Sequence, residues 1–119
     1  MEQAQFEVKR SDVNTVTVLS LKGFLDAHTA PQFETAVQTL LEEGRYKIVV
    51  DFTELAYISS AGLGVFMGFI EEIRQNGGDM KLAHMSDRVF KIFDLLGFPN
   101  LYQIFPTVDE AVRKFDDKN

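Results

Sequence analysis

The chain has 119 residues, 45% hydrophobic and 25% charged, which suits one domain with one core and excludes a disordered segment or a coiled coil. Its formal net charge of −6, with no cluster of basic residues, opposes direct nucleic-acid binding. The lack of cysteine removes disulfides, thiolate chemistry and cysteine-ligated zinc.

No apolar run approaches the ~20 residues of a membrane span, and the start MEQAQFEVKR lacks the apolar core of a signal peptide. A cytoplasmic protein without membrane insertion is therefore expected. Phe6 to Lys9 alternates apolar and charged residues, as an edge strand would. Ser11 to Asn14 is turn material, and Val16 to Leu21 (VTVLSL) reads as a largely buried strand, so a leading hairpin is predicted. A helix is expected from Thr29, capped by its hydroxyl, with Pro31 in the first turn. Phe33, Val37, Leu40 and Leu41 recur at helical spacing until Gly44 stops the run. Tyr46 to Phe52 (YKIVVDF) has the continuous apolar centre of a strand covered on both faces, and Asp51 is read as its end.

A long loop is then expected to lead into a second helix from about Ala61 to Asn76, with Ser59 or Ser60 as its N-cap and Gly77-Gly78 as its stop. Met80 to Ala83 is a short strand. Val89, Phe90, Phe93 and Leu96 make the apolar face of a third helix, begun by Ser86 or Asp87 and ended by Gly97. Leu101 to Phe105 is a last strand and Thr107 to Phe115 a last helix, with Thr107 and Glu110 spaced as a capping box. The alternation of helix and strand from Phe33 onward predicts an α/β fold. Its sheet is mixed, of four to five strands with about four α-helices, parallel except at the leading hairpin. Residues 1–119 are read as a single domain.

Function in open α/β sheets gathers where strands lead into helix N-termini. Gly62 and Gly64 lie early in the second helix, where each costs ~1 kcal/mol relative to alanine, and glycine there lets another surface approach closely. A helix N-terminus also accommodates a regulatory phosphate on a serine, through free N–H groups and the helix dipole.

The stretch Tyr57-Ile58-Ser59-Ser60-Ala61-Gly62-Leu63-Gly64-Val65 closely resembles the phosphorylation-site motif of the STAS domain (sulfate transporter and anti-sigma-factor antagonist). That motif runs aromatic, apolar, Asp, Ser, Ser or Thr, Gly, Leu, Gly, Val. Gly23 to Ala30 resembles the family's Gly-x-Leu-Asp segment, and Ile48 to Phe52 its central strand. Gly77-Gly78, Leu95 to Phe98 and Leu101 to Phe105 resemble later parts, so the likeness spans nearly the whole chain in order and spacing. It implies a STAS-like fold and a non-enzymatic anti-sigma-factor antagonist without a cofactor. Such a protein binds an anti-sigma factor with serine kinase activity, frees its sigma factor, is switched off by phosphorylation, and is restored by a metal-dependent serine phosphatase.

The acceptor position carried onto this chain is Ser60, with Ser59 as the alternative. Ser59 stands where the motif has Asp, and Ala61 follows the acceptor, so a carboxylate is lost and a second hydroxyl gained. The implied docking face comprises Asp26, His28 and Thr29 with Ser59, Ser60, Ala61, Gly62, Leu63 and Gly64.

Asp51 is expected to accept backbone hydrogen bonds; Asp26 could do so or meet a partner. His28 and His84 have no companion at metal-ligand spacing, and no metal site is expected. Ser60 lacks the Gly-x-Ser-x-Gly elbow of a hydrolase, and Gly62-Leu63-Gly64 lacks the third glycine of a dinucleotide site. Phe66 and Phe69 are expected on different sides of the second helix, one of them partly exposed. The rival readings are a STAS module of another assembly, for lipid transport or stress sensing, and a nucleotide- or lipid-binding domain.

Overall fold

The computed structural model describes residues 6–116. A hairpin of β1 (Glu7–Val13) and β2 (Val16–Leu25) opens the chain, followed by α1 (Ala30–Glu42), β3 (Lys47–Ile58) and α2 (Ser60–Gln75). After these come β4 (Asp79–Ala83), α3 (Asp87–Leu95), a 3-10 turn (Phe98–Asn100), β5 (Ile104–Phe105) and α4 (Val108–Asp116). The sheet order is β1-β2-β3-β4-β5, with β1 antiparallel to β2 and the remaining pairs parallel. The expected mixed sheet with four helices is thus present.

The alternation along each strand assigns the two faces. Leu19, Leu21, Ile48, Val50, Phe52, Met80 and Leu82 point to the larger core, where α1, α2 and α3 bury Phe33, Phe66 and Phe93. Val16, Val18, Val49 and Ala83 point the other way, and α4 covers them with Ala111, Val108, Val112 and Phe115. Lys81, buried on this second face, pairs with Asp79 at 3.1 Å, donates to Gln103 at 2.6 Å, and lies over the Phe115 ring.

Five local readings change. The hairpin turn is Asn14-Thr15, with Asn14 at φ 58°, and Ser11 to Val13 are strand: asparagine tolerates the left-handed conformation that a two-residue hairpin loop demands. The Thr29 hydroxyl does not cap α1; it donates to the Phe24 carbonyl at 2.8 Å and accepts the Asp26 N–H at 2.9 Å. Leu101 and Tyr102 are not strand, because Phe98 and Phe66 draw Tyr102 into the core by ring contacts and leave only Ile104–Phe105 to pair. On α3, Val89 and Phe93 are buried, whereas Phe90 and Leu96 are exposed.

The fifth change is the largest. β3 does not end at Asp51 but runs on to Ile58 beside β2, so no long loop precedes α2. Two register shifts give β3 an extra residue each, between Ser20 and Lys22 and between Gly23 and Phe24 of β2. At the first, the Asp51 carboxylate accepts the Thr53 N–H at 3.0 Å and the Ser20 hydroxyl at 3.1 Å. Beside the second, Gly23 has φ 96°, which a side chain would resist. The Thr53 hydroxyl also donates to Asp51, so the His84 Nδ1 at 2.6 Å from it carries the proton.

Tyr102 supplies a pH test of the larger core. Burial pushes its hydroxyl up to about 12 from an ordinary 10. The folded chain holds that proton after the unfolded chain has lost it, so stability is fully present below pH 10 and falls toward pH 12. Tyr102→Phe is expected to flatten this alkaline loss in urea titrations at stepped pH.

Candidate functional site

The pairing of Leu25 with Ile58 places the ends of β2 and β3 together, and the Ser59 N–H donates to the Leu25 carbonyl at 2.9 Å. The chain turns from both strands at this point, into the 26–29 segment on one side and α2 on the other. The 26–29 segment therefore starts beside Ser59, although Asp26 and Ser59 stand 33 positions apart in sequence.

The two serines differ in structure. Ser59 has extended backbone, is half-buried, and its hydroxyl accepts the Gly62 N–H at 3.4 Å, which makes it the N-cap of α2. Ser60 is the first helical residue; its side chain is exposed and makes no hydrogen bond within the described residues. The N–H groups of Ser60 and Ala61 likewise find no acceptor among the described residues. They point out of a helix N-terminus, where partial positive charge favours an anion.

The two glycines also separate. A Cβ on Gly62 would sit 2.7 Å from Leu25 Cγ and 3.0 Å from the Leu25 carbonyl, so its absence lets α2 pack on the end of β2. A Cβ on Gly64 would meet nothing within 4 Å, and Gly64 is exposed. Gly62→Ala is expected to lower stability by about 1–3 kcal/mol. Gly64→Ala should raise it by about 0.5–1 kcal/mol, since alanine is the better helix former. Urea unfolding of the two variants reads both signs.

Asp26 serves the turn. Its Oδ1 accepts the N–H of His28 at 2.9 Å and of Thr29 at 3.2 Å, and it is half-buried, while His28 is exposed. Among the described residues, no group of three or more His, Cys, Asp or Glu could hold a metal ion. No helix among them is long and apolar enough to cross a membrane.

Sequence reasoning missed the apolar residues beside Ser60. Phe24 and Tyr57 project from the β2–β3 extension with ring centroids 5.9 Å apart, 44% and 43% exposed. Leu95 and Leu96, at the end of α3, are 86% and 56% exposed. A signal for the leucines was present. Val89, Phe90, Ile92, Phe93, Leu95 and Leu96 are six apolar residues in eight, too wide a stripe for one buried face.

The five-stranded mixed sheet with four helices agrees with comparisons to known proteins. The STAS domain model matches residues 5–111. An anti-sigma-B factor antagonist of Listeria monocytogenes is 32% identical over 98 residues, covering 82% of this chain and 85% of the relative. The anti-sigma factor antagonist SpoIIAA in its unphosphorylated form has TM-score 0.81 and 26% identity, covering 95% of this chain and all 100% of SpoIIAA. Bacillus SpoIIAA in the phosphorylated form gives 0.71 at 24% identity, covering 93% and 99%. An anti-sigma factor antagonist from Mycobacterium paratuberculosis shares the fold at TM-score 0.87 and 22% identity, covering 95% and 96%. The chain belongs to the STAS domain family, and within it to the anti-sigma-factor-antagonist type.

Proposed function

We propose that this chain is a cytoplasmic, non-enzymatic anti-sigma-factor antagonist that works as one domain. It binds an anti-sigma factor with serine kinase activity, frees the sigma factor, and is switched off by phosphorylation at Ser60. A metal-dependent serine phosphatase returns it to the binding form. The observation that carries the reading is the division of labour between the serines: Ser59 caps α2, which leaves the Ser60 hydroxyl exposed and without a structural task.

The Listeria relative named as an anti-sigma-B factor antagonist supports the partner class, and the two forms of SpoIIAA support a phosphorylation cycle. The docking face takes in Asp26, His28 and Thr29 with Ser59 to Gly64. Here Gly64 serves approach by the partner, since nothing within its own fold needs the missing Cβ. Loss of the motif's Asp to Ser59 leaves a neutral cap, which holds the helix start without a charge beside the acceptor.

The test is incubation with ATP and the kinase-type anti-sigma factor of the same genome, followed by mapping of the phosphate by mass spectrometry. Phosphate on Ser60 that survives Ser59→Ala and disappears in Ser60→Ala supports the switch. Phosphate on Ser59, or none while the kinase modifies a known antagonist, overturns it.

A further inference from the structure

Beside Ser60, the end of β3, the first turn of α2 and the end of α3 enclose an open groove of about 330 Å³. It is lined by Tyr57, Ile58, Leu63, Ile92, Leu95 and Leu96 together with the two serines, Ser59 and Ser60. No carboxylate, ammonium or guanidinium lines it. Leu95, at 86% exposure, has almost no contact with its own fold, so the packing of the chain gives no reason for a leucine there.

We infer that this groove receives a large apolar side chain of the kinase-type anti-sigma factor, and that Ser60 lines it so that phosphorylation closes it. This rests on the docking reading above. The argument for the occupant is continuity: a protein that brings a kinase site onto the Ser60 hydroxyl must cover the groove that Ser60 borders. Because the lining is uncharged and apolar, the occupant that gains by entering it is apolar too. The same lining explains the sign of the switch. A phosphate on Ser60 is solvated in the free protein, but seating the partner's side chain would strip water from a dianion with no cation in the groove to replace it. Leu95 and Leu96 are thus anchor residues of the surface, beyond the polar positions at the helix start.

The test uses the full chain and the purified kinase-type anti-sigma factor of the same genome, with ADP present, in a calorimetric or interferometric binding assay. Leu95→Gln and Leu96→Gln keep helix propensity at exposed positions, so thermal unfolding should match the parent. Each is expected to weaken binding about tenfold or more. Leu101→Gln, a leucine 43% exposed but outside the groove, should bind like the parent. Parent-like binding by Leu95→Gln and Leu96→Gln would overturn the groove while leaving the docking reading intact. An equal loss in Leu101→Gln would overturn it as well, since the effect would follow general surface apolarity. Failure of the parent itself to bind would overturn the docking reading, and the groove proposal with it.

Discussion

Phosphorylation of Ser60 is expected to weaken binding to the kinase-type anti-sigma factor by about 100-fold or more, roughly 3 kcal/mol. The two states of the chain are unequally served by the structure. In the free protein the phosphate stands in water at the N-terminus of α2, where the unpaired N–H groups of Ser60 and Ala61 and the helix dipole favour it. In the proposed complex the same group would face an uncharged groove that loses its water. The fold should therefore be unaffected: the modified chain should unfold at the parent's temperature or slightly above. Ser60→Ala should bind like the unmodified chain, and Ser60→Asp should fall between, having one charge where phosphate has nearly two. Titration calorimetry on the unmodified and fully modified chains checks the ratio. A change below about threefold would remove the electrostatic account, and a large drop in unfolding temperature would relocate the effect from docking to folding.

The second large effect is structural. Phe66→Ala is expected to cost about 4 kcal/mol, a large part of the 5–15 kcal/mol that typically holds a domain together. Phe66 is fully buried, with ring centroids 5.1 Å from Phe33, 5.9 Å from Phe52 and Phe93, and 6.2 Å from Tyr102. It is where α1, β3, α3 and the segment after the 3-10 turn meet α2, so no single neighbour can relax into the space it leaves. Phe66→Leu should cost less, about 1–2 kcal/mol. Urea unfolding gives both numbers; a loss below about 1.5 kcal/mol for the alanine variant would mean that the cluster collapses around the gap.

Several of these features were open to the sequence. The helix stops at Gly44, Gly77 and Gly97 have φ of 77°, 83° and 77°, as glycine in that role should. The Ser86 hydroxyl accepts the Val89 N–H at 3.2 Å and that of Thr107 the Glu110 N–H at 3.1 Å, both at spacings legible in the chain. The strand–helix alternation gave the parallel part of the sheet, since each reading there depends on residues close together.

What escaped depends on residues far apart. The end of β3 is a strand because Leu55, Tyr57 and Ile58 pair with Gly23, Phe24 and Leu25, and its period is broken by two extra residues. Thr53, Glu54, Ala56 and Tyr57 are exposed, so that stretch carries no apolar alternation to announce it. The order in the site had the same limit. Family likeness named Ser60, but which serine caps the helix follows from the extended backbone of Ser59 and its bond to Leu25, neither of which spacing reveals. Phe66 and Phe69 show the intermediate case: Phe66 is buried and Phe69 only partly so, as expected, but both pack against the larger core and not on different sides of α2.

The anchoring of Ser59 to the Leu25 carbonyl, and of Gly62 against Leu25, has a consequence for how Ser60 can be read. Ser60 is presented on a frame assembled from two strands and a helix, and it cannot be drawn out as an extended tail without unfastening all three. A kinase acting on it, as proposed above, would have to read shape, so a short peptide spanning Tyr57 to Val65 should be a poor substrate despite containing every residue of the motif. The same frame makes the mark conditional. On the cycle proposed above, a chain that has lost its fold would offer a more accessible serine and a worse target, so the phosphate would record molecules that were intact when they met the kinase.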